Sequence, residues 1–77
     1  MKVSLTQMQS GECGIVVEIQ GGFGFIRKVQ SMGIRPGKKI VKVGSHFWRG
    51  PQIVEIDNLQ VAIGFGMAKR VLVEVER

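Results

Sequence analysis

Seventy-seven residues, 44% of them hydrophobic and 22% charged, make one small domain of ordinary globular composition. A chain of this length buries only about 60–65% of the surface it exposes when unfolded, which leaves little core for a deep enclosed cavity or a separate cofactor-binding half. Nineteen residues are Val or Ile and eleven are Gly; β-branched side chains suit pleated strands and glycines the turns between them, so the expectation is a mainly β fold.

The net charge of +5 is unevenly spread. Between Ile19 and Val54 there is no acidic residue, while Arg27, Lys28, Arg35, Lys38, Lys39, Lys42 and Arg49 supply seven cations; the flanks carry four cations and six acids. Such a field favours an acidic partner, whether nucleic acid, an anionic membrane surface or an acidic protein face, or else it simply keeps a small barrel in solution. Cys13 is the sole cysteine, which rules out an internal disulfide and points to a reducing compartment. Met1 to Ser10 lacks the apolar core of a secretory signal, so a cytoplasmic location is expected. The longest uncharged apolar run, Val61 to Ala68, is eight residues, against roughly 18 for a bilayer span, so no direct membrane insertion is expected.

In chain order, Glu12 to Gln20 alternates, with Ile15, Val17 and Ile19 on one face and Val16, Glu18 and Gln20 on the other, as a half-buried strand does. Gly21-Gly22 ends it. From Phe23 to Met32 the apolar spacing becomes three and four through Phe25 or Ile26, Val29 and Met32, which predicts one short amphipathic helix packed on the sheet. Gly33 is placed to stop that helix, and Ile34-Arg35-Pro36-Gly37 reads as a type II turn. Lys38 to Gly44 is the next strand, with Lys38, Ile40 and Lys42 on one face. The loop Ser45 to Gly50 precedes a strand from Gln52 to Asp57, Asp57-Asn58 reads as a two-residue hairpin turn, and Leu59 begins another strand. Gly66 to Arg70 is a single turn of 3₁₀ character, and Val71, Val73 and Val75 line a last strand. About five strands, one helix after the first of them and a single turn before the last fit a closed or nearly closed small barrel.

Catalytic and metal-binding constellations are thin. His46 is the only His and is far in sequence from Cys13, and no carboxylate is spaced to orient either. Cys13 is expected to be a small buried apolar side chain. Two Cys and His residues in total fall short of a structural zinc site, and Glu55 with Asp57, at i and i+2, read as the wet face of a strand. No catalytic, cofactor or metal residue is therefore assigned, and the chain is expected not to be an enzyme. Gly21-Gly22-Phe23-Gly24 lies between strand and helix but matches neither common nucleotide-binding glycine motif. The loop His46-Phe47-Trp48-Arg49 carries more information, because Trp and Arg dominate binding energy at interfaces; the alternative is that Trp48 folds back over one barrel end.

Several of these stretches together resemble one family. Gly11…Ile15…Ile19-x-Gly21-Gly22, then Arg27-x-Val29-x-x-Met32-Gly33-Ile34-x-Pro36-Gly37, then Pro51-x-Ile53-Val54-x-Ile56, Val61-Ala62-Ile63 and Ala68-x-x-Val71-x-Val73 look like the ferrous-iron transport protein A (FeoA) family. The resemblance spans about Leu5 to Val75 and is most specific at Met32-Gly33-Ile34-x-Pro36-Gly37. Similar domains end the iron-dependent repressors of the diphtheria-toxin type, whose helix-turn-helix has no counterpart here. The resemblance implies an SH3-like β-barrel serving as cytoplasmic accessory to the ferrous-iron permease FeoB, a membrane protein with a GTP-binding domain. Two departures stand out: Gly64 where relatives often carry Arg, and Met67 where they often carry Glu. The expected partner-binding face comprises Arg27, Lys28, His46, Phe47, Trp48, Arg49, Phe65 and Met67, with self-association also open. The competing expectation is a basic nucleic-acid-binding barrel, disfavoured by the scarcity of aromatics and the lack of an aromatic series along one strand face.

Overall fold

The computed structural model describes residues 1–45 and 50–77. Among these residues six strands form one antiparallel sheet: β1 (Lys2–Ser4), β2 (Cys13–Ile19), β3 (Lys39–Ser45), β4 (Gln52–Ile56), β5 (Leu59–Ile63) and β6 (Val71–Glu74). A 3₁₀ turn (Leu5–Gln7) follows β1, helix α1 (Phe23–Ser31) follows β2, and a single α-helical turn, α2 (Phe65–Ala68), precedes β6. The strand order is β1-β6-β2-β3-β4-β5.

In a flat sheet β1 and β5 would lie about 24 Å apart, five strand spacings. Instead Val3 of β1 and Ile63 of β5 belong to the same buried cluster, along with Val16, Ile40, Val54 and Val73 from the strands between them. The sheet therefore curls until its inner face encloses one core, and α2, which follows β5, touches the 3₁₀ turn that follows β1. This is the nearly closed, mainly β architecture expected of the sequence, with one more strand than foreseen.

Local chemistry explains the turns. Asp57 and Asn58 both take positive φ (52° and 66°), the type I′ geometry that matches the twist of β4 and β5. In the turn after α1, Gly37 has φ of 95° and Lys38 N–H donates to Arg35 O at 3.1 Å, so Pro36 and Gly37 occupy the two central positions of a type II turn.

Four sequence expectations need correction. On β2 the buried residues are Val16 and Ile19, while Ile15 and Val17 are exposed, because a register shift between Val16 and Glu18 breaks the simple alternation. Cys13 is exposed rather than buried; at the start of β2 the inward position falls to Gly14, which lies close against β6. The turn before β6 is α-helical, not 3₁₀. Finally, β1 was not foreseen, and it pairs with β6 from Lys2↔Glu74 to Ser4↔Leu72.

Lys42, on the same face of β3 as Ile40, is buried. Its ammonium donates to Leu5 O at 2.8 Å and Met8 O at 3.2 Å, and burial lowers its pKa from the usual value. With Gly11 N–H donating to Lys42 O at 2.7 Å and Lys42 N–H to Glu12 O at 2.8 Å, this residue fastens the segment after β1 across the barrel. A buried ammonium is tolerable here because carbonyl oxygens replace water around it.

Candidate functional site

Helix α1 carries the first part of the candidate face. Val29 is its buried residue, and Phe25, Ile26 and Met32 pack against the core, so Arg27, Lys28 and Ser31 are left on the outside. Phe23 opens the helix. One helical turn before Arg27, it lies on the same side of α1, the residue 76% exposed and its ring centroid 5.5 Å from the Arg27 guanidinium carbon. Phe25 points the other way, into partial burial, and there the guanidinium carbon of Arg70 stands 5.3 Å from its ring centroid. Gln20 N–H donates to Arg70 O at 2.8 Å, which fixes the segment after α2 beside the start of α1.

The expected site residues are thus distributed as follows. Arg27 and Lys28 are exposed on α1. Phe65 and Met67 are half-buried in α2, and Met67 packs against the core, so each offers only part of its side chain to a partner. His46, Phe47, Trp48 and Arg49 lie outside the described residues. Two participants were missed. Phe23 could have been found from its i, i+4 relation to Arg27; Arg70 could not, because its meeting with Phe25 depends on how β6 and α1 are placed in space.

The six described cations of the middle segment do not form one patch, and Arg49 lies outside the described residues. Lys38 is held by Asp57 at 2.9 Å, Lys42 is buried, and Lys39 sits on the outer face of β3 beside acidic residues. There, Lys39 joins Gly11, Glu12, Cys13, Ile15, Glu74 and Glu76 around an open depression of about 570 Å³. Its acids are largely engaged. Arg77 holds Glu12 at 2.9 Å, and the N-terminal ammonium pairs with Glu74. The Arg77 hydrogen bond, helped by the Gln9 N–H, draws the Glu12 carboxyl down from 4.5 to about 2. Among the described residues no three of His, Cys, Asp and Glu are grouped so as to hold a metal ion. No helix among them is long and apolar enough to cross a membrane.

Comparison with known proteins places this architecture. The chain matches the FeoA domain over residues 3–75. It is 35% identical over 66 residues to a protein of Methanocaldococcus jannaschii provisionally named Fe(2+) transport protein A, covering 86% of this chain and 78% of that one. A crystal structure of an iron uptake regulatory protein (FeoA) superposes with a TM-score of 0.87 at 42% identity over 96% of both chains. A manganese-dependent transcriptional repressor also reaches 0.87, at 22% identity, with 97% of this chain matching 42% of that one, which is a likeness of fold alone. Family match, identity and superposition agree over nearly the whole length, and the chain belongs to the FeoA domain family.

Proposed function

We propose that this protein is a cytoplasmic accessory of ferrous-iron uptake that binds and regulates a FeoB-type membrane permease through its barrel surface. The observation that carries the reading is the 42% identity, over 96% of both chains, to a protein named for iron uptake regulation. The relative named for Fe(2+) transport supports it further. The geometry is compatible with a binding module. Arg27 and Phe23 stand exposed together on α1, while two acids of the open depression, Glu12 and Glu74, are held in ion pairs. The dispersal of the cations favours a protein partner over a nucleic acid, whose backbone calls for a continuous basic track.

The contact is assigned to Arg27 and Lys28 with the loop His46 to Arg49, flanked by Phe65 and Met67. Arg27→Glu combined with Trp48→Ala should weaken co-purification with the permease at least tenfold, while the circular dichroism spectrum stays that of the folded protein. Undiminished co-purification by a folded double variant would exclude this surface.

A further inference from the structure

The exposed Phe23 side chain has no role in the core, and it stands beside Arg27 at the start of α1. It stands between two glycines, and a methyl group added at Gly22 or Gly24 would meet nothing within 4 Å, so the ring projects from an open, convex surface. Arg27 lies over that ring and Arg70 over Phe25 next to it; Lys28 and Lys69 adjoin them in sequence and are exposed. Neither α1 nor the segment from Gly64 to Arg70 contains an acid. The acids nearest in sequence are engaged elsewhere: Glu18 by Lys2 at 3.4 Å and by the Gln20 side-chain amide at 3.5 Å, and Glu74 by the N-terminal ammonium.

We infer that this end of the molecule docks peripherally on an anionic lipid surface, the Phe23 ring entering the headgroup layer while Arg27, Lys28 and Arg70 meet lipid phosphates. An aromatic ring between cations is the arrangement that interfacial binding rewards, since apolar burial and attraction to anionic lipid add. A guanidinium stacked on a ring face still directs its N–H groups outward along its own plane, where phosphate oxygens can accept them. Convexity favours lipid over protein: a folded partner would need a pocket shaped to the ring, whereas a fluid headgroup layer closes around it. The inference does not rest on the iron-uptake reading and concerns a different ligand.

The test is co-sedimentation of the full chain with phosphatidylcholine vesicles, with and without phosphatidylglycerol, at low and raised salt. Binding is expected only where phosphatidylglycerol is present, and it should fall as salt rises. Phe23→Ser, at an exposed position, should weaken it about tenfold. Arg27→Glu with Lys28→Glu should weaken it by about 25-fold or more, from roughly fivefold per cation removed. Three results would overturn the inference: no binding at low salt, equal binding to pure phosphatidylcholine, or full binding by Phe23→Ser. Tighter binding to soluble polyglutamate than to vesicles would assign the face to an acidic protein instead. Displacement by inorganic phosphate beyond that caused by chloride at equal ionic strength would assign it to a free anion.

Discussion

At Gly14 there is no room for a side chain, and replacing it tests how tightly β2 and β6 are joined. A Cβ at this position would lie 2.5 Å from the carbonyl oxygen of Glu74, 2.5 Å from Val73 Cγ1 and 2.9 Å from Val75 Cγ1. Comfortable carbon contacts begin near 3.5 Å, so the strands would have to part by about 1 Å. Neither side can give easily. One obstacle is backbone, and the other two are β-branched side chains with little rotamer freedom, both buried in the core. β6 is also held on its far side by β1. Gly14→Ala should therefore fall at the severe end of overpacking, about 2–3 kcal/mol. At 4–8 °C per kcal/mol for a domain of this size, the melting midpoint should drop by roughly 10–20 °C. Thermal unfolding followed by circular dichroism, with urea titration alongside, reads the effect. Gly24→Ala is the matched control: its Cβ meets nothing within 4 Å and it lies in α1, so stability should be unchanged or higher by up to about 1 kcal/mol. A Gly14→Ala protein that melts within about 3 °C of the parent would refute the close approach of the two strands.

Lys42→Ala, which strips the donor from Leu5 O and Met8 O and leaves a void, should cost about 2–4 kcal/mol in urea titration. The lysine's pKa is lower folded than unfolded, so the unfolded chain binds more protons in the alkaline range. The stability difference between the parent and Lys42→Met should then shift towards the parent as pH rises to 10.5, and a shift the other way would contradict the burial of the charge. Glu12 has the acid-side counterpart: its contribution is complete above 4.5 and disappears as pH falls to about 2, so Glu12→Gln should flatten acid unfolding across that interval. Asn58→Val places a β-branched residue at φ of 66° and should destabilise by about 1–2 kcal/mol, with no change expected if the residue is instead turned to the extended region.

The features legible in the sequence are those decided by neighbours along the chain. Asp57-Asn58 could be identified as a hairpin turn because few other residues accept two successive left-handed conformations, and Arg35-Pro36-Gly37 because proline and glycine each set one half of a type II turn. Helix α1 declared itself through its apolar spacing, within a residue of its observed end. What escaped depends on distant segments. β1 is three residues long, and its partner strand begins nearly seventy residues later. The inward face of β2 is set by an irregularity in its pairing with β6, so Ile15 and Val17, apolar and regularly spaced, face outward. Lys42 looks like any surface lysine until the carbonyls of Leu5 and Met8 are brought over it. The candidate face divides the same way, with the Phe23–Arg27 pair implicit in helical spacing and the Arg70–Phe25 pair a product of the fold.

The pairing of β1 with β6 has a mechanical consequence. The start of β1 and the end of β6 lie side by side, Met1 and Val75 exchanging backbone hydrogen bonds at 2.8 Å in both directions. Tension applied to the two ends would load the antiparallel ladder along its bonds, one rung at a time, rather than across all of them at once. The protein should therefore unzip from that corner under small forces, however resistant it is to heat.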